Sequence, residues 1–123
     1  MLDTRGLVIH SVTDAKGAPL AYQLAAADPL LGAALTVPLP DSGPRICIRY
    51  STGPDAPALD WLAPEQTAGG RHPFLFTQGH AIQTRSYIPL QDSPAVRQTY
   101  DARISVAPPL TAVMSAASLW HTD

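Results

Sequence analysis

Charge and cysteine are both scarce in this sequence, and each shortage excludes a class of function. Charged residues make up 15% of the 123 residues, and the net charge is −2. A protein without a basic stripe cannot displace the counterions around phosphates, so this composition excludes a nucleic-acid binder. The single cysteine, Cys47, excludes an internal disulfide and a cysteine-rich zinc site. Its position in "RICIRY" predicts a strand residue that packs rather than reacts.

Long apolar runs are absent as well. No stretch approaches the roughly 18 residues that span a bilayer. Asp3 and Arg5 lie where a secretory signal needs an apolar block. Apolar residues nevertheless make up 46% of the chain, which is enough for a buried core. We therefore expect a single soluble, cytoplasmic domain over residues 1–123 that does not bind membranes.

Thirteen prolines leave no room for long helices, since each proline fixes φ and removes a backbone donor. The segments between them alternate between apolar and polar residues, as half-buried strands do. The pattern predicts an all-β, mostly antiparallel, sandwich-like domain with long ordered loops at 51–73 and 79–94. A hairpin is expected to close near Lys16 and Gly17, and Trp61 is expected to anchor the first long loop to the sheet. The predicted strands are 7–12, 21–25, 35–39, 45–51, 74–77, 99–106 and 110–114.

One stretch, "TQGHAIQTRSYIPLQDSP" at 77–94, is rich in neutral hydrogen-bonding side chains. It has too few charges for a solvated linker and apolar residues on both sides. Such side chains either brace an ordered loop or face a ligand. Arg85 and Asp92 have the charges for an ion pair across the loop, while Asp92 also suits a turn that bonds its own backbone. We predict a loop-structural role for Arg85, Gln91 and Asp92.

Several motifs resemble those of one family. They are "WLAPEQT" at 61–67, "PFLFTQ" at 73–78, "AIQTRSYIPLQDSP" at 81–94 and "LTAVMSA" at 110–116. In this order they resemble the N-terminal domain of the M1 zinc aminopeptidases, in the branch that includes leukotriene A4 hydrolase. The segment "LDTRGLVIHSV" at 2–12 resembles a strand that lies inside that domain.

The resemblance implies a saddle-shaped, mostly antiparallel β domain that lies over a catalytic domain. It also implies that strands before Leu2 are missing, so the chain is expected to be truncated at both ends. A missing neighbour leaves an exposed sheet edge, and such edges favour self-association.

The motifs that carry M1 catalysis are absent from the sequence. The zinc site of that family needs an H-E-x-x-H motif, yet none of the four histidines is followed by glutamate or by histidine four residues later. The G-x-M-E-N motif, which holds the substrate's amino group in that family, is absent too. We therefore expect no catalytic residues, metal ligands or cofactor in this chain, and zinc in the missing catalytic domain. The histidines are His10, His72, His80 and His121.

The resemblance maps Gln78, His80 and Ala81 onto a loop that reaches the substrate cleft in the family, near the peptide's first residue. Gln78 matches the family's pattern. His80 lies where relatives have glutamine; its ring can still donate or accept a hydrogen bond, but a protonated ring would repel an ammonium group. We predict that these three residues bind substrate. A purely structural role for each of them stays open.

The leading hypothesis is a non-catalytic domain of a zinc aminopeptidase that covers the active site and lines the pocket for the substrate's first residue. Its partners would be its own catalytic domain and a peptide, with no nucleic acid or membrane. The alternative is a free-standing β-sandwich that binds a partner. An exposed apolar patch above a few hundred Å² would favour the first. A third hypothesis, a small hydrolase built from Ser86, His80 and Asp92, lacks a nucleophile-elbow motif.

Overall fold

Residues 1–41 and 43–117 are described by the computed structural model, and strands dominate this part of the chain. The pairings between its strands are antiparallel. Its only helical segments are the 3-10 helices Pro64–Gln66 and Thr84–Ser86, and neither is long or apolar enough to cross a membrane. The predicted all-β, mostly antiparallel class is confirmed. The strands are β1 (Leu2–Thr4), β2 (Val8–Asp14), β3 (Gln23–Leu24), β4 (Ala33–Thr36), β5 (Ile46–Ser51), β6 (Leu59–Leu62) and β7 (Phe74–Thr77).

The strands form three small sheets. In the first, the order is β1, β4, β3; β2 pairs with β5, and β6 pairs with β7 in what we call the β6–β7 ribbon. The alternation of β5 gives it two different faces: Ile46, Ile48 and Tyr50 are partly buried, whereas the residues between them are exposed. Ile48 lies opposite the buried Val12 of β2, so the apolar face of this pair points inward.

Strands β2, β3, β4, β5 and β7 overlap the predicted strands, and the predicted hairpin forms only next to its turn. The Gly17 N–H donates to the Asp14 carbonyl oxygen at 3.1 Å, so a turn does form near Lys16 and Gly17. Beyond it the chain makes an isolated bridge between Thr13 and Pro19, and β2 has β5 as its ladder partner. The Asp14 N–H donates to the Ala18 carbonyl oxygen and the Leu20 N–H donates to the Val12 carbonyl oxygen, each at 2.9 Å. The pairing does not extend to β3, which pairs with β4 instead.

The predicted strands at 99–106 and 110–114 are wrong. Residues 99–117 contain no strand, although their apolar and polar residues alternate. Most of their apolar side chains are exposed: Ile104 is 50% exposed and Val113 is 76% exposed, whereas Ala112 and Met114 are partly buried. A strand requires a neighbour for its N–H and C=O groups, and alternation alone does not supply one.

Strand β6 falls in a segment that was expected to be a loop. Its four residues gain a ladder only by pairing with β7, which sets Trp61 opposite Leu75. Trp61 is 61% exposed, so the prediction that it anchors a loop to the sheet is wrong. Cys47 lies on β5 as predicted, but its side chain is exposed instead of packed, because it shares the outer face of the strand with Arg49.

The core lies where β1 and β4 meet the segment after the second 3-10 helix. Leu35 of β4 is fully buried, and Thr4 of β1 is 2% exposed. The Thr4 hydroxyl donates to the Ala33 carbonyl oxygen at 2.8 Å, which satisfies its polarity in the interior. On the other side of β1, the Asp3 N–H donates to the Leu90 carbonyl oxygen at 2.7 Å. Strand β1 therefore connects the core to the polar stretch that holds the predicted site residues.

Candidate functional site

The candidate site is the loop at residues 78–83, which follows β7 and which we call the site loop. The Gln78 N–H donates to the Ala58 carbonyl oxygen at 3.0 Å. At the other end, the Gln83 N–H donates to the Gly79 carbonyl oxygen at 3.0 Å. Both ends of the site loop are therefore anchored by backbone hydrogen bonds.

The three predicted substrate-binding residues lie together on this loop. Gln78, His80 and Ala81 are all exposed, and the peptide bond between His80 and Ala81 is cis. The His80 N–H donates to Oε1 of Gln78 at 3.3 Å, so the Gln78 side chain bends along its own loop. Within residues 1–41 and 43–117, nothing accepts a hydrogen bond from Nε2 of Gln78, which leaves that donor available.

Gly79 allows the site loop to close tightly. A Cβ atom at this position would lie 2.2 Å from Oγ1 of Thr84, closer than any real contact. The Thr84 hydroxyl donates to the Gly79 carbonyl oxygen at 3.4 Å. Because Gly79 has no side chain, the 3-10 helix Thr84–Ser86 can pack directly against the backbone of the site loop.

Ser86 forms the buried base of the site. It is fully buried, and its hydroxyl donates to the Gln83 carbonyl oxygen at 2.8 Å. The hydroxyl oxygen of Ser86 also accepts a hydrogen bond from the Ala58 N–H at 3.2 Å. The hydroxyl thus connects the end of the site loop to the residue that precedes β6.

Arg85 and Asp92 lie next to this base and contact each other. Nε of Arg85 is 3.2 Å from Oδ2 of Asp92, and the side chains are 7% and 8% exposed. Nη2 donates to the Asp92 carbonyl oxygen at 2.7 Å, and Nη1 donates to the Leu31 carbonyl oxygen at 2.8 Å. These bonds satisfy a buried guanidinium with one carboxylate and two carbonyl groups.

The pair formed by Arg85 and Asp92 is also bound to β1. Oδ2 of Asp3 accepts the Asp92 N–H at 2.9 Å and lies 3.6 Å from Nη2 of Arg85. The Arg5 N–H donates to the Arg85 carbonyl oxygen at 2.9 Å. Residues near the start of the chain are thereby joined to the segment that follows the site loop.

Gln91 is exposed, and its hydrogen bond runs through the backbone: its carbonyl oxygen accepts from Nε2 of Gln98 at 3.1 Å. Its predicted bracing role stays a prediction. Two surface depressions of about 540 and 450 Å³ include none of the three predicted substrate-binding residues, although Gln91 lines the larger one. The site loop therefore contributes to neither of these two depressions.

Two tyrosines near the site have altered acidity. Burial raises the pKa of Tyr87, and the charge of Asp92 raises it further, while a hydrogen bond with Thr77 acts in the opposite direction. Burial also raises the pKa of Tyr50, with a smaller contribution from Tyr87. Both phenols are therefore neutral at physiological pH and serve as uncharged packing and hydrogen-bonding groups.

Neither a metal-ligand cluster nor the Ser86, His80 and Asp92 triad is present among the described residues. In 1–41 and 43–117 there is no group of three or more His, Cys, Asp or Glu side chains that could hold a metal ion; His121 lies outside these ranges. Ser86, His80 and Asp92 do not form a triad, because the Ser86 hydroxyl donates to a backbone carbonyl and Asp92 contacts Arg85. The triad of the small-hydrolase hypothesis is therefore not assembled.

Sequence reasoning missed part of this site. Gly79 carried one readable signal, a glycine directly before the predicted His80. Ala58 and Asp3 carried none. The bond between Asp3 and Asp92 spans 89 positions of the chain, and no local pattern marks such a pair.

The chain was compared with known proteins, and no family model matches it. Curated relatives do match. The chain is 40% identical over 121 residues to leukotriene A-4 hydrolase of Xenopus laevis, covering 94% of the chain and 20% of the relative. It is 48% identical over 77 residues to aminopeptidase B of Rattus norvegicus, covering 63% of the chain and 12% of the relative.

A solved structure matches as well. Native leukotriene A4 hydrolase from Saccharomyces cerevisiae aligns with a TM-score of 0.69 and 32% identity, over 77% of this chain and 15% of that one. The matched part is the N-terminal β domain of such proteins. The chain therefore spans about a fifth or less of the relatives' length.

Proposed function

Because this chain belongs to the leukotriene A4 hydrolase-like branch of the M1 aminopeptidase family, as its N-terminal β domain, we propose that it serves a zinc aminopeptidase without being catalytic itself. In this proposal the domain covers the active site and lines the pocket for the first residue of a peptide substrate. A catalytic domain outside these 123 residues supplies the zinc and the hydrolysis.

The observation that carries the proposal is that the exposed residues of the site loop are held by a rigid, buried base. His80 and Ala81 are exposed, whereas Ser86 is fully buried and Arg85 is 6% exposed. A loop held in this way loses little conformational entropy when a ligand binds to it. Binding residues are commonly found on loops that a rigid scaffold positions.

The exposed groups suit contact with a peptide. Nε2 of Gln78 can donate to a carbonyl group, and the His80 ring can donate or accept. Ala81 has no bulk, so a substrate chain can pass close to the loop.

The apolar surface favours part of a larger protein over a free-standing module. In the β6–β7 ribbon, Trp61 is 61% exposed, Phe74 is 52% exposed and Phe76 is 48% exposed. Pairing places Trp61 on one face and the two phenylalanines on the other. Two-stranded ribbons are marginally stable alone, so we infer that the catalytic domain covers this one. Self-association of the isolated chain stays a prediction.

The test is His80→Gln in the intact enzyme, with the exposed His72, outside the site loop, changed to Gln as a control. His80→Gln should change KM and kcat/KM for peptide substrates, because it replaces a ring that would contact the substrate's first residue. His72→Gln should leave both unchanged. If His80→Gln alters neither KM nor kcat/KM, His80 does not contact the substrate.

A further inference from the structure

The hydroxyl of Ser86 connects two segments that are distant along the chain. Its oxygen accepts the Ala58 N–H at 3.2 Å. Its single proton is committed to the Gln83 carbonyl oxygen at 2.8 Å. Because Ser86 is fully buried, no water competes for either bond. The hydroxyl therefore holds residue 58 at a fixed distance from the 3-10 turn.

Ala58 transmits this constraint to Gln78. The Ala58 N–H is bound by Ser86, and its carbonyl oxygen accepts the Gln78 N–H at 3.0 Å. Ala58 is also fully buried. The N–H and the carbonyl group of Ala58 are thus both hydrogen-bonded, one to Ser86 and the other to Gln78. A displacement of Ala58 therefore moves Gln78 with it.

We propose that Ser86 is a positioning residue that sets where Gln78 enters the substrate site, acting through the backbone of Ala58. The inference rests on the proposed function, since that function gives Gln78 a substrate to contact. Ser86 does not touch substrate, because it is fully buried beneath the loop. Its effect comes from geometry: small displacements of a positioning group lower the efficiency of an enzyme strongly.

The first experiment is steady-state kinetics of the intact enzyme carrying Ser86→Ala. Loss of the hydroxyl leaves the buried Ala58 N–H without its acceptor, so residue 58 should shift and KM for peptide substrates should rise by about tenfold, with a smaller change in kcat. Ser86→Cys keeps a weak donor and acceptor at similar volume and should give an intermediate KM. Ser93→Ala is the control, because the Ser93 hydroxyl is exposed and accepts only a 3.4 Å bond from the Ala95 N–H.

A double variant separates positioning from a merely structural role. Gln78→Ala alone should raise KM, and adding Ser86→Ala to it should raise KM little further, because the group being positioned is already gone. Additive effects would overturn the proposal, since Ser86 would then act by another route. A lowered melting temperature with unchanged KM would also overturn it.

The remaining outcomes are also decisive. If Gln78→Ala changes KM but Ser86→Ala does not, the positioning role is wrong while the proposed function stands. If Gln78→Ala itself has no effect, the substrate role of Gln78 fails, and the inference fails with it. If Ser86→Ala does not fold, Ser86→Cys decides: a KM equal to that of the unaltered enzyme overturns the proposal.

Discussion

Arg85 and Asp92 form a buried ion pair in which the guanidinium contacts both the carboxylate and the backbone of the same residue. Nε lies 3.2 Å from Oδ2, and Nη2 donates to the Asp92 carbonyl oxygen at 2.7 Å. Oδ2 also accepts the Arg85 N–H at 3.0 Å. The segment from 85 to 92 is thereby closed on itself and fastened to β1 through Asp3, which gives the site loop a fixed base.

Asp92→Asn should destabilise the domain strongly. The change leaves the buried Arg85 charge with only the carboxylate of Asp3, 3.6 Å from Nη2, and breaking one partner of a buried pair costs about 3 kcal/mol or more. Asp101→Asn is the matched control, because Asp101 is exposed and its loss should change the free energy of unfolding by about 0.5 kcal/mol at most. Urea denaturation of the two variants measures the difference. Equal midpoints would mean that the ion pair contributes nothing to stability.

Gly32→Ala should be far more harmful than Gly17→Ala, although both glycines have positive φ, at 77° and 85°. A Cβ at position 32 would lie 2.0 Å from the Thr4 carbonyl oxygen, whereas nothing lies within 4 Å of a Cβ at position 17. Gly17→Ala should cost about 1–2 kcal/mol for the left-handed conformation. Gly32→Ala adds a clash with backbone and should cost at least about 3 kcal/mol. Similar losses in urea denaturation would contradict the predicted contact.

Gly79→Ala and Thr84→Ala should be strongly coupled. The alanine Cβ at position 79 would lie 2.2 Å from the Thr84 hydroxyl oxygen, so the single variant should lose about 1–3 kcal/mol of stability. Removing that oxygen relieves the contact, so adding Thr84→Ala should recover part of the loss. A double-mutant cycle of unfolding free energies measures the coupling. Additive losses would show that the two residues do not limit each other.

Alkaline pH should destabilise the fold through two tyrosines. Burial raises the pKa of Tyr50 and of Tyr87 in the folded state. Their stabilisation is therefore complete below the unfolded pKa of about 10 and is lost as pH rises through the higher folded values. Tyrosinate absorbance and circular dichroism should report ionisation together with unfolding. The variant with both tyrosines changed to phenylalanine should lose stability less steeply, and an unchanged slope would count against this account.

Alternation and motif order predicted much of the fold. The partly buried positions of β5 follow from a period of two, which a single segment displays by itself. The same pattern at residues 99–106 predicted a strand that does not form. The difference is a neighbour: β5 has β2 beside it, and the later segment has none among the described residues.

By itself, the sequence determined the fold class, the family through its ordered motifs, and the absence of M1 catalytic motifs from this chain. Only the tertiary structure decided which strands pair, that Ser86 is buried beneath the site loop, and that Asp3 meets Asp92 across 89 positions. The physical reason is the range of the interactions. Alternation and turn chemistry depend on neighbours along the chain, whereas a hydrogen bond or ion pair depends on which distant group folding brings within about 3 Å.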